Sequence, residues 1–298
     1  MGVTVGVRAD PEDAARYELD RKPAATAIKD AEPATLATPA RPASPRAEVL
    51  GCPLDRVNLE EALRYCESVI ETRGFAQHMA INAAKLVAMQ DDAELRASVD
   101  QCELITADGQ SMVWASQLLG DPLPCRVTGI DLMEALLARA AEQGYRVYLL
   151  GATAEVLRRT IARMQEDLPA LNIAGWQDGY YADEDERAVA DRIAAARPQI
   201  LFVAMSSPRK EYFLATHCRA IDVPFVMGVG GALDVYAGLV RRAPLPIQRM
   251  GLEWLFRLVQ EPRRLLGRYA RTNARFLGLL VRELVRVRLR DGGDRAEI

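Results

Sequence analysis

Histidine is the scarcest chemistry-bearing residue of this chain: His78 and His217 are the only two among 298 residues. That argues against a histidine-based metal site. Cys52, Cys66, Cys102, Cys125 and Cys218 are scattered, odd in number and form no C-x-x-C pair. This fits a reduced cytosolic protein better than a disulfide framework. No run approaches the roughly 20 apolar residues that a spanning helix needs, and the N-terminus lacks the apolar segment of a signal peptide. Excess positive charge is missing too: a net charge of −3 argues against nucleic-acid binding by the whole surface. Apolar side chains, by contrast, make up half the chain, enough core for one large domain or two small ones.

The composition changes along the chain. Residues 1–48 are rich in Ala, Pro and charge, and Pro23, Pro33, Pro39, Pro42 and Pro45 interrupt any helix, so they read as a disordered leader. Residues 49–245 alternate between apolar runs and helical patterns. Strands are expected near Gln77–Asn82, Cys102–Thr106, Arg146–Gly151, Leu171–Trp176, Gln199–Met205 and Pro224–Val229. Helices are expected over Leu59–Thr72, Gln110–Leu119, Leu132–Gln143, Ala154–Leu168, Glu184–Arg197 and Pro208–Ile221. Such alternation predicts an α/β fold, a Rossmann-like, mostly parallel sheet with helices on both faces. Ligands then bind where strands end and helices begin. Residues 246–298 read as a helical, basic C-terminal appendage.

Four segments could carry chemistry. Asp108 in Thr106-Ala107-Asp108-Gly109 closes a strand and precedes a helix, where it could cap the helix or take a proton from a substrate hydroxyl. Arg126 precedes a Gly turn and a helix that Asp131 could cap, and its fork suits a diphosphate or merely the surface. Ser206-Ser207-Pro208-Arg209-Lys210-Glu211 follows a strand, so small residues and helix N–H groups could meet a phosphate or a sugar hydroxyl. Its basic first turn opposes the helix dipole, which favours function over capping. Gly228-Val229-Gly230-Gly231-Ala232-Leu233-Asp234 offers a glycine turn that a ligand can approach closely.

Two other stretches mislead. Tyr148-Leu149-Leu150-Gly151 lacks the remaining glycines of a dinucleotide fingerprint, which weakens a nicotinamide-dependent reading. Asp183-Glu184-Asp185 has D-x-D spacing but lies at a helix start, where carboxylates favour the dipole. The C-terminal helix interleaves Arg263, Arg264, Arg268, Arg271, Arg275, Arg282, Arg286, Arg288 and Arg290 with apolar residues three and four apart. That pattern suits an anionic membrane surface, or a helix packed on the domain or in an oligomer contact.

Taken together, these segments resemble the WecB/TagA/CpsF group of bacterial glycosyltransferases, glycosyltransferase family 26. The likeness rests on Ala107-Asp108-Gly109, Arg126 with Gly129-Ile130-Asp131, Ser207-Pro208 with Glu211, and Gly230-Gly231-Ala232-Leu233-Asp234. It continues through Arg242-Ala243-Pro244, Leu252-Glu253-Trp254 and Glu261-Pro262-Arg263-Arg264. It implies inverting, metal-independent transfer of a sugar from a UDP-sugar, without a cofactor. The implied acceptor is a polyprenyl-diphosphate-linked saccharide, at the cytoplasmic face of the cell membrane, in exopolysaccharide, capsule or teichoic-acid-like synthesis. By the same likeness Asp108 is the general base, expected to stand largely exposed in a cleft, and Arg126 contacts the diphosphate. Asn82, Ser207, Lys210, Gly230, Gly231 and Asp234 line the substrate site, with Arg263, Arg264 and Arg268 closing over it.

Two departures stand out. Ala80-Ile81-Asn82 lacks the threonine of the family's Thr-x-Asn, and Lys210 replaces a glutamine. A cation at 210 could favour an acidic sugar, and its removal from a first helical turn should cost little stability. The transferred sugar is therefore left open among hexose, glucuronic acid and N-acetylmannosamine. The departures also motivate an alternative, a catalytically inactive UDP-sugar-binding partner in a polysaccharide assembly complex.

Overall fold

The computed structural model describes residues 44–207 and 209–294. Its centre is a six-stranded parallel sheet with helices on both faces, the expected α/β class. Strands β3 (Ala76–Ile81), β4 (Leu104–Ala107), β5 (Arg146–Gly151), β6 (Asn172–Gln177), β7 (Ile200–Ala204) and β8 (Phe225–Gly228) lie in the order β4-β3-β8-β7-β5-β6. A short antiparallel hairpin, β1 (Ala47–Val49) and β2 (Cys52–Leu54), precedes them. Asp55, just after it, joins the hairpin to β4: its backbone N–H donates to the Ile105 carbonyl and its Oδ2 accepts from the Ile105 N–H.

Strand alternation divides the core. Ile200, Phe202, Phe225 and Met227 pack on one face with α1 (Leu59–Glu71), α5 (Gly129–Gln143) and α6 (Ala154–Asp167). Leu201, Val203 and Val226 point to the other, against α7 (Glu186–Ala196) and α8 (Arg209–His217). Because the side-chain period is two, a one-residue slip would exchange the faces, so this burial fixes the register. Gly151 serves the same packing. A Cβ there would lie 2.5 Å from the Ala204 carbonyl, so glycine lets β5 and β7 approach.

Local signals start and stop the helices. Asn58 and Glu61 form a reciprocal capping box on α1. Asn82 caps α2 (Ala83–Ala88), and Asp92 caps α3 (Ala93–Asp100). Thr128 and Thr153 cap α5 and α6, and Gly144 ends α5 at φ 73°. The remaining helices are α4 (Gln110–Leu118), α9 (Ala232–Tyr236), α10 (Leu245–Arg249), α11 (Glu253–Gln260) and α12 (Pro262–Asp294).

Several boundaries move. Residues 1–43 lie outside the described residues, but the leader reading to residue 48 ran too far. Ala47 is buried in β1, and Arg46 pairs with Asp55 at 2.9 Å. Helix α5 begins at Gly129 with Thr128 as its cap, so Asp131 sits inside the first turn instead of capping it. Helix α8 ends at His217, and Pro208 lies outside the described residues. Asp183–Asp185 form one 3-10 turn leading into α7.

The C-terminal helix is packed, not standing off. Phe276 and Leu280 of α12 are buried in one cluster with Met79, Ile81 and Leu86. Arg275 donates to Asp91 through both terminal guanidinium nitrogens, and Arg286 lies 3.7 Å from Glu283. Part of the arginine excess is therefore committed to ion pairs. A second apolar row on the same helix, Leu277, Val281, Val285 and Leu289, is more than half exposed.

Candidate active site

Asn82, Asp108, Ser207 and the Gly230–Gly231 pair follow the carboxyl ends of β3, β4, β7 and β8 respectively, the edge of an open parallel sheet where ligands bind. Asn82 ends β3. Its Oδ1 accepts the Lys85 N–H at 3.0 Å, and its side chain also hydrogen-bonds Asp108. Asp108 follows β4, where its N–H donates to the Ile81 carbonyl at 2.8 Å. It does not cap α4: Gly109 holds that position, without a side-chain cap.

Asp108 is half-buried, not largely exposed as expected. Burial pushes its carboxyl above the usual range, and the Glu253 carboxylate pushes it further. Lys85, Arg257 and the Asn82 hydrogen bond oppose that shift. A carboxyl of raised proton affinity, close to charge of both signs, has the character of a group that can exchange a proton with a substrate.

Beneath it lies a buried ion cluster. Lys85 Nζ is 2.9 Å and Lys210 Nζ 3.3 Å from Glu211 Oε1. These are ion-pair distances without hydrogen-bond geometry, because neither Glu211 oxygen has a hydrogen-bond partner among the described residues. Burial acts to push the Glu211 carboxyl up, but the two lysines win and hold it at about 2. Burial and Lys85 draw the Lys210 ammonium down to about 8, against Glu211 and Asp108.

The Lys210 stem crosses β8 so closely that a Cβ on Gly228 would lie 2.7 Å from its Cε. Gly228→Ala should therefore displace Lys210 and cost about 1–3 kcal/mol, read as a lower Tm. Lys210 is 5% exposed and pairs with Glu211, so it is not the solvated first-turn cation that the expectation of little stability cost assumed. Its removal leaves Glu211 with Lys85 alone. Arg209, whose charge opposes the dipole, is explained by structure: it donates to the Gly179 and Tyr181 carbonyls and covers the Tyr181 ring.

A second network lies between the core and the C-terminal segment. Arg126 Nη1 is 3.0 Å from Glu253 Oε2, and Arg242 Nε is 3.7 Å from Glu253 Oε1. Arg242 also pairs with Asp131 and reaches Glu134 at 3.5 Å. Its Nε is buried without a hydrogen-bond partner among the described residues, at ion-pair distance from the Glu253 carboxylate.

Gly230 and Gly231 follow β8, next to β3 in the sheet. Gly230 has φ 52°, and a Cβ there would meet open space. Asp234 lies half-buried on α9, with its Oδ2 3.7 Å from where a Gly231 Cβ would stand. Ser207 is exposed beyond β7. Arg263 and Arg268 are exposed at the start of α12, with Arg268 over the Tyr269 ring, and the Arg264 side chain lies outside the described residues. The C-terminal groups whose charges reach Asp108 are Glu253 and Arg257. Sequence reasoning gave no role to these two, nor to Lys85. Asn82 three residues before Lys85 was the one visible signal, a cap that fixes where the lysine points.

A parallel sheet with a partly buried carboxylate, Asp108, just beyond β4, and two arginines that share the Glu253 carboxylate, is thus defined. The family model of the glycosyl transferase WecG/TagA/CpsF family matches residues 47–290. The chain belongs to that family, and is a glycosyltransferase of cell-surface polysaccharide synthesis.

Proposed function

We propose that this enzyme transfers a sugar from a UDP-sugar to a polyprenyl-diphosphate-linked saccharide, with inversion and without metal. The observation that carries the reading is that one carboxylate, Glu253, acts on Asp108, desolvated beyond β4, and also holds Arg126 and Arg242. The acceptor hydroxyl gives its proton to Asp108 as its oxygen bonds to the anomeric carbon. The bond from that carbon to the diphosphate breaks on the opposite face, and the electron pair leaves with UDP. Arg126 and Arg242 receive the developing negative charge as fixed donors in a dry site. Gly230 and Gly231 allow the nucleotide close to the backbone, while Asn82 and Ser207 face the sugars. Lys210 supports this floor through Glu211. An acidic-sugar preference would require its ammonium to leave that carboxylate, so neutral hexoses and N-acetylhexosamines belong in the same screen.

The enzyme works at the cytoplasmic face of the membrane, docked through the exposed row of α12 and its flanking arginines. The described residues contain no helix long and apolar enough to cross a membrane. A panel of UDP-sugars against short-chain polyprenyl-diphosphate acceptors, read by mass spectrometry with and without chelator, tests the reaction. One sugar should be transferred in both conditions, and the product should have the anomeric configuration opposite to the donor. Arg126→Ala should raise KM for the donor about tenfold or more, as expected for loss of a charge-assisted contact worth about 1.5–3 kcal/mol. UDP-sugar binding with no turnover on any acceptor would instead favour the inactive-partner reading.

A further inference from the structure

None of the eight residues of helix α11 is buried, and Trp254, Leu255 and Val259 stand exposed on it. An element with so little packing opens locally at low cost. Polar contacts hold its two ends. At the far end, Gln260 Nε2 donates to the Arg241 carbonyl at 3.1 Å. At the near end, Glu253 offers one oxygen to each of two arginines. Its Oε2 accepts from Arg126 Nη1 at 3.0 Å, and its Oε1 lies 3.7 Å from Arg242 Nε. The first contact is a hydrogen bond. The second is not, because the buried Nε–H of Arg242 has no acceptor among the described residues. The carboxylate thus satisfies one arginine and attracts the other by charge alone.

We infer that Glu253 is a displaceable stand-in for the donor's diphosphate: it fills the anion position of Arg126 and Arg242 in the free enzyme, and UDP drives it, with α11, off the two arginines. The inference rests on the reading of these arginines as the diphosphate contacts. Charge makes the exchange necessary. Asp131 and Glu134 also approach Arg242, so two arginines already face three carboxylates. A diphosphate added to that set would meet net negative charge at close range in a partly buried site. Without Glu253 the set is neutral, and Arg126 is free to pair. Asp131 and Glu134 cannot leave, since α5 is fixed in the core by Leu132, Met133, Leu136 and Leu137. Glu253 can, because α11 buries nothing. The incoming diphosphate, larger and more charged than a carboxylate, has oxygens for both guanidinium groups.

The test is UDP binding by calorimetry, with uridine as the phosphate-free control. Glu253→Gln should bind UDP about tenfold more tightly than the wild type, because no charge-assisted contact then has to be displaced. Uridine affinity should stay the same. In the Arg126→Ala background the gain from Glu253→Gln should shrink, because the contact it removes is already absent. In the wild-type protein UDP should speed amide hydrogen exchange over Glu253–Gln260, and uridine should not, a reading that needs no variant. Weaker or unchanged UDP binding by Glu253→Gln overturns the inference. So does equal tightening for uridine, a gain undiminished by Arg126→Ala, or slower or unchanged exchange over α11 with UDP. Arg126→Ala alone separates the two levels. If it leaves UDP affinity unchanged, the reading of the arginines as diphosphate contacts fails. If it weakens UDP binding while Glu253→Gln does not tighten it, only the displacement fails.

Discussion

Replacing Asp108 with asparagine should lower sugar transfer by about 10²–10⁴-fold, the usual contribution of a positioned general base, and should not lower stability. The two halves of that result have one cause. Folding raises the proton affinity of Asp108, chiefly by burial and then by Glu253. A carboxyl whose folded pKa lies above its unfolded value binds more protons in the folded state across that interval, so stability falls as pH rises through it. Ionising this carboxyl therefore costs the fold stability. Asparagine removes the charge and keeps a group able to hydrogen-bond Asn82. Tm of Asp108→Asn should equal or exceed that of the wild type at neutral pH, and the difference should shrink towards acid. UDP affinity, measured by calorimetry, should change little, because the diphosphate is assigned to Arg126 and Arg242. An Asp108→Asn enzyme that transfers sugar at the wild-type rate would remove the base from the mechanism. A large fall in Tm would show that Asp108 belongs to the packing instead.

The sheet was legible because its strands are apolar runs with sharp ends. Arg146–Gly151 was placed to the residue, and Phe225–Gly228 lies within the stretch expected. The misses share a scale. The hairpin strands have three residues each, and α2 and α9 have six and five, too few to show periodicity. The hairpin also follows a proline-rich stretch, which hid where order begins. The positions of Asp108 beyond a strand and of Arg126 before a helix were legible in the local pattern, whereas Asn82 was named through the family resemblance. Lys85, Glu253 and the burial of Lys210 were not legible, because each depends on a partner far away in sequence. Glu253 meets Arg126 across 127 positions, and Lys85 meets Glu211 across two different crossover units. Lys210 illustrates the limit most directly. From sequence it is a solvated cation in a first helical turn; folded, it is closed in by Gly228 and Glu211.

Exchanging Leu277, Val281 and Val285 together for glutamine should release the enzyme from anionic liposomes without unfolding it. Truncation cannot show this. Cutting after Leu258 would strip Leu265, Phe276 and Leu280 from buried positions, and Phe276→Ala alone should cost about 3–5 kcal/mol. Lost membrane binding and lost activity would then both follow from an opened core. The helix has two apolar faces, and only one is used by the fold. Phe276 and Leu280 pack beside Met79 and Leu86, whereas Leu277, Val281, Val285 and Leu289 recur every four residues and face solvent. Arg282 and Arg288 are exposed on the same helix, whereas Arg275 is held by Asp91. Burying three such aliphatic side chains in the interface is worth on the order of 4 kcal/mol, so the triple variant should lose at least about a hundredfold in liposome affinity. Glutamine keeps helix propensity and removes no core contact, so Tm should move by only a few degrees. Wild-type binding should weaken as salt shortens the Debye length to about 8 Å at physiological strength, because the arginine contribution is exposed. Residual binding of the triple variant should depend on salt more steeply, since charge would then be nearly all that remains. Unchanged liposome binding by the triple variant would mean that this row is not the membrane face. A shift from dimer to monomer in the same variant would assign the row to a contact between two copies of the chain.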